Sequence, residues 1–288
     1  MREVYTRVTQ VAKQHLYQFM KDNGISPLKY RFDYYFDTCV EVHKIKVLEH
    51  HFSNHKIEGL TMIDDNGISF SYEKENPIVK QNFTKCHELG HFILGHTGNI
   101  FTELSDGSES LYESEANLFS AVVLMPDIVL LSMIYYRKDN FSKLLTNLVI
   151  SSEALIYRLK DLFRFYLRID YQSITQAIQD YRVNNKTAIL ALFDQVKDRI
   201  EDGYRDVTAN PVISVLRQLD KVDFISSNDY PDLLENDFRK QLEEADSSIE
   251  SWADFDFGKT IGYAWKKGKL TQKQAQSRAK TILLLETR

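Results

Sequence analysis

The chain has 288 residues, of which 43% are hydrophobic, 27% charged and 12% aromatic, and its formal net charge is -5. That apolar fraction suffices for a buried core and excludes a wholly disordered chain, while 11 Gly and 5 Pro exclude collagen-like or low-complexity sequence. The charge balance excludes nucleic-acid binding by bulk electrostatics, and at about 150 residues per domain the length suits roughly two domains.

From the N-terminus, Val4, Val8, Val11, Leu16 and Phe19 recur at helical spacing and stop before Asn23-Gly24, predicting a helix over 3–22. This segment carries charge throughout and has no apolar core of signal-peptide length. A second helix is expected over about 39–54. Two short apolar runs follow, 60–63 and 68–72, linked by Asp64-Asp65-Asn66-Gly67, and Asn-Gly between such runs signals a hairpin. Next come a helix over about 83–94 ended by Gly95, a polar loop over 97–110, and an apolar helix over 111–125 stopped before Pro126. The apolar stretch 118–136 is broken by Pro126-Asp127, so it reads as two buried segments and no membrane span. Beyond 128 the pattern is almost all helical, including 151–165, with loops at 183–185 and 208–211.

Two cysteines, Cys39 and Cys86, cannot make a disulfide framework, and a reducing, cytoplasmic location is expected. Charge is uneven near the end. Residues 222–256 hold eleven acids against Arg239 and Lys240, and 257–288 hold eight bases against Glu286. Two solvated, mutually attracting faces explain this; a docking surface for a charged partner is the alternative.

The chemistry is concentrated in His87-Glu88-Leu89-Gly90-His91. On a helix, histidines at i and i+4 project from one face, within about 6 Å of each other at Cβ, which suits two imidazoles on one zinc ion. Zinc lowers the pKa of a coordinated water to about 7, and Glu88, one step round the helix, is placed to act as general base. Two exposed histidines on an ordinary helix would be the bland explanation. Phe83, Leu89, Phe92, Ile93 and Leu94 make this helix apolar nearly all round, so its polar groups need partners, and a metal supplies them.

A third ligand is needed. A histidine six residues after the second is absent, since Thr97 stands there. His96 reads as a helix C-terminal or outer-layer residue. Glu115 shares a face with Leu118, Phe119 and Val122, a costly place for a carboxylate unless it is paired or metal-bound. Glu113 shares its face with Ala116, Asn117 and Ser120 and reads as a surface residue. The expected metal set is therefore His87, His91 and Glu115, one Zn²⁺ per chain, with a Glu115 paired to a buried Arg or Lys as the alternative. All eight histidines, from His15 to His96, lie in the first third, so any oxyanion donor from the rest is not His; Tyr112 is a candidate. Cys86 points away from His87 and reads as a small core residue.

FTKCHELGHFILGH at 83–96, followed by ESEANLFSAVVLMP, resembles the ImmA/IrrE family of zinc metallopeptidases over roughly residues 35–165. Ser120 and Val123 replace the usual Ala and Leu. The resemblance implies an α+β, mainly helical, gluzincin-like core with a small antiparallel sheet, zinc on His87, His91 and Glu115, and Glu88 as general base. It also implies an endopeptidase that cleaves or inactivates a helix-turn-helix repressor of a prophage, mobile element or stress regulon.

Three regions are expected: a peptidase core over 1–130, a helix-turn-helix-like segment over 131–170, and a mainly helical module over 171–288 that selects or gates the substrate. Two other functions compete with proteolysis. One is a zinc-containing regulator that holds or senses its partner without cutting it, which would not need Glu88. The other is direct DNA binding through 141–168, where Lys143, Arg158, Lys160, Arg164 and Arg168 leave a weak basic excess; a packing module fits that segment better.

Overall fold

The computed structural model describes residues 2–52, 57–65, 67–97, 100–104, 110–256 and 258–286. Its first helix, α1 (Arg2–Asp22), buries Val8, Ala12 and Leu16 at four-residue spacing and ends as Gly24 turns left-handed at φ 61. Helix α2 (Phe32–Val42) follows, and strand β1 (Lys46–His50) begins after Lys44 takes φ 53. Of the helix expected over about 39–54, only 39–42 is helical, as the end of α2. A five-residue edge strand has little pattern of its own, and pairing with the sheet decides it.

The two expected short strands are β2 (Ile57–Asp64) and β3 (Gly67–Glu73), paired antiparallel from Gly59–Tyr72 to Asp64–Gly67. Asn66 of the expected turn lies outside the described residues. Within the expected polar loop, Ile100–Leu104 forms β4, antiparallel to β2, while 98–99 and 105–109 lie outside the described residues. The sheet order is β1-β3-β2-β4 and β1 runs parallel to β3, so the sheet is mixed and not purely antiparallel.

Helix α3 (Ile78–Ile93) opens one residue after Pro77 and packs on β2 and β3. Helix α4 (Leu111–Leu124) is capped by the Ser110 hydroxyl, which accepts from the Glu113 amide at 3.3 Å. After Pro126 come α5 (Asp127–Leu130) and a wider helical turn, Leu131–Tyr136. Among the described residues, Leu111–Tyr136 is apolar and long enough to cross a membrane, and 78% of its most apolar window is buried inside the fold. Cys39 and Cys86 are free and buried, and burial pushes both thiols up, Cys39 to about 11.

Helices α6 (Phe141–Leu148) and α7 (Ser152–Tyr166) flank a tight turn in which Val149 is left-handed and Ser151 caps α7. Arg158 of α7 is buried and bonded to Asp127 and to the Met125 carbonyl, so this base faces the core. Helices α8 (Tyr171–Arg182) and α9 (Thr187–Arg205) continue the same core: Ile174, Ile178, Phe193 and Val196 share it with Val8 and Leu162. The chain accordingly divides into compact units at Met1–Thr208 and Ala209–Arg288, not at 170. The expected boundary fails because α8 and α9 carry apolar faces that fill the first unit's core.

The second unit is not purely helical. Its sheet, of β5 (Phe224–Ser226), β6 (Ile249–Asp256) and β7 (Lys259–Lys266), has the order β5-β7-β6, all antiparallel. Ile261, Tyr263 and Trp265 alternate onto the face covered by α12 (Gln272–Glu286), and Ala264 turns to the other face with residues of α10 (Pro211–Leu219) and α11 (Asn236–Ala245). Lys266 pairs with Asp220 at 2.5 Å and Lys267 with Glu250 at 4.0 Å, so part of the basic tail meets acids within its own unit.

Candidate metal centre

Local sequence places the first half of the site. His87 and His91 sit one turn apart on α3, at most 1% exposed, with Nε2 atoms 3.0 Å apart. Gly90, between them on the helix, allows α4 to approach: a Cβ there would lie 3.1 Å from the Phe119 ring and 3.3 Å from the Ala116 backbone. The Ser120 hydroxyl donates to the Phe83 carbonyl at 2.9 Å and ties the two helices together.

This approach brings Glu113 to the histidines. Its Oε2 lies 3.0 Å from His87 Nε2 and its Oε1 3.4 Å from His91 Nε2. The Glu113 carboxyl is drawn down to about 2: burial pushes it up, but the two imidazoles beside it more than offset that. One donor atom from each of His87, His91 and Glu113 lies within 4.8 Å of the others.

Glu115, the expected ligand, goes elsewhere. Its Oε1 pairs with Arg7 of α1 and its Oε2 lies 3.0 Å from His96 Nε2. Burial raises its carboxyl, and Arg7 and His96 together outweigh this and lower it. A carboxylate in an apolar stripe does need a partner, but the partners are Arg7, which is 51% exposed, and His96, not the metal pair. The structure thus brings Glu113, where Glu115 was expected, beside the two histidines. Hydrophobicity alone favours the Glu115 face as the buried one, yet small Ala116 and Ser120 let the Glu113 face of α4 lie against α3 as well.

Outer nitrogens of both histidines are engaged. His87 Nδ1 lies 2.9 Å from Asn117 Oδ1 and His91 Nδ1 lies 2.8 Å from His96 Nδ1. Sequence reasoning missed Asn117, although its position four after Glu113 puts both on one helical face. With the outer nitrogens as donors, the Nε2 lone pairs and the Glu113 carboxylate crowd one point. Such a set needs protons shared within it or a cation, and a divalent ion with N/O preference satisfies every member. The residues fit zinc.

Glu88 is 1% exposed, accepts from the Thr61 hydroxyl of β2, and lies against Gly59, where a Cβ would come within 2.2 Å of Glu88 Oε1. Tyr112 stacks on His96 at 4.4 Å between ring centroids, and its hydroxyl lies 3.0 Å from Thr97 Oγ1.

Compared with known protein families, residues 40–160 match Peptidase_M78, the IrrE N-terminal-like domain. Over these residues the chain is similar to that peptidase domain. Neither the curated proteins nor the solved structures contain a significant match to the chain. The IrrE-like segment runs from β1 into α7, includes α3 and α4 with their convergent side chains, and resembles a metallopeptidase domain. Arg7 lies outside it.

Proposed function

We propose that the chain is a zinc endopeptidase whose ligands are His87, His91 and Glu113, with Glu88 as general base. The observation that carries this is the convergence of two buried imidazoles and the half-buried Glu113 carboxylate on one point, with Glu88 on the same helix as the histidines. Zinc held there would polarise a peptide carbonyl and supply a nucleophile at neutral pH. Glu88 would take the proton from the attacking water and pass it to the leaving amine. Thr61 orients that carboxylate through one oxygen, and the Cβ-free Gly59 leaves it room.

The proposed substrate is a helix-turn-helix repressor, supported by the family resemblance alone. The test is incubation of the purified chain, zinc-loaded or chelated, with the repressor encoded beside its gene, reading new termini by mass spectrometry. Zinc-dependent cleavage that Glu88→Gln abolishes while zinc stays bound is the expected result. If Glu88→Gln relieves repression in cells as well as the wild type does, the protein acts by holding its partner and the peptidase reading falls.

A further inference from the structure

A ring that gives Nε2 to a metal must carry its proton on Nδ1. For His91 that nitrogen faces Nδ1 of His96 at 2.8 Å, so His96 must accept there. The proton of His96 then sits on Nε2, which is 3.0 Å from Glu115 Oε2 and donates to it. The remaining charge on Glu115 is balanced by Arg7 at Oε1. Every donor in this sequence meets one acceptor, and the reverse placement would put a proton on His91 Nε2 and block the metal. His91, His96 and Glu115 are all buried, so water is poorly placed to replace a broken link. Phe101 stacks on His91 at 4.7 Å and Tyr112 on His96 at 4.4 Å, fixing both ring planes.

We propose that Arg7, Glu115 and His96 form a positioning relay that locks His91 in the tautomer able to bind metal. The proposal rests on the metal reading above. It makes helix α1, which lies outside the IrrE-like segment, a working part of the site. Arg7 is the half-exposed end of the relay, so solvent cushions its loss, whereas His96 touches the ligand directly.

The test uses the full chain and zinc alone, with affinity read by competition against a chelator. Loss of an outer-layer partner typically costs 10–100-fold in metal affinity. We expect about that loss for His96→Ala and a smaller one for Glu115→Gln, whose amide oxygen still accepts from His96. Arg7→Ala should show the smallest loss, restored by Arg7→Lys. Nitrogen-15 NMR of the zinc-loaded wild type should show His91 protonated at Nδ1 and His96 at Nε2, a readout that general destabilisation does not move. If His96→Ala does not fold by circular dichroism, Glu115→Gln decides, since it keeps the shape. A wild-type chain that binds no zinc removes the metal reading and the relay with it. A wild type that binds zinc, with Glu115→Gln and His96→Ala at wild-type affinity or His91 bound through Nδ1, overturns the relay alone.

Discussion

The first unit buries two polar clusters of opposite composition. Around Asp127, charge is matched within the fold: its carboxylate meets Arg158 and Lys13 and accepts from the Tyr166 hydroxyl at 2.9 Å. Around His87, His91 and Glu113, two imidazole nitrogens and a carboxylate, all electron-pair donors, gather within 4.8 Å of one another. Both clusters hold buried groups and both lower a carboxyl, so a shifted pKa does not tell them apart. Their composition does: one cluster pairs acids with bases, and the other gathers donors of the kind that could hold a metal ion.

That contrast is most exposed to failure at the ligands. Glu113→Ala and His87→Ala should abolish tight zinc binding by metal analysis, while the melting temperature of the metal-free chain stays the same or rises as crowding is relieved. Full zinc occupancy in Glu113→Ala would take Glu113 out of the ligand set. The acid–base cluster should behave in the opposite way. Asp127→Ala strands Arg158 as a buried charge and should cost about 3–5 kcal/mol in urea unfolding, with no rescue by zinc. A loss under about 1 kcal/mol would show that the Asp127 cluster is not the internally matched one.

A smaller effect sharpens the comparison through pH. Burial raises the Asp127 carboxyl, but Lys13 and Arg158 dominate and hold it at about 2 in the folded chain, against 3.8 for an ordinary Asp. A depressed folded value means the stabilisation is complete above the unfolded value and is lost as pH falls from about 4 towards 2. The loss is on the order of 2 kcal/mol. The stability gap between wild type and Asp127→Asn should therefore close over that range. A gap that is constant with pH would contradict the assignment.

How much of this was legible in the sequence depended on how local each feature is. His87, Glu88 and His91 are set by the pitch of a single helix and could be read directly. The third carboxylate depends on how two helices meet, and the apolar stripe of Glu115 outweighed the quieter signals for Glu113. Those signals were present: a Ser110-to-Glu113 capping pattern at the start of α4, and small Ala116 and Ser120 facing a glycine-bearing helix. Strands β1 and β4 escaped because short strands at a sheet's margin are decided by their neighbours. In the second unit the alternation Ile261, Tyr263, Trp265 marks a strand, but it is short and flanked by the lysines of the basic tail, which mask it in the charge pattern.

Gly90 has a role beyond packing. One jaw of the donor set is carried by α3 and the other by α4, and the missing methyl at Gly90 sets how far the jaws open. Side chains on both sides have fixed reach, so the gap between the helices works as a caliper. A methyl at Gly90 would force a few tenths of an ångström of movement on its Phe119 neighbour. A residue with no side chain thereby sets how closely the two donor-bearing helices can approach.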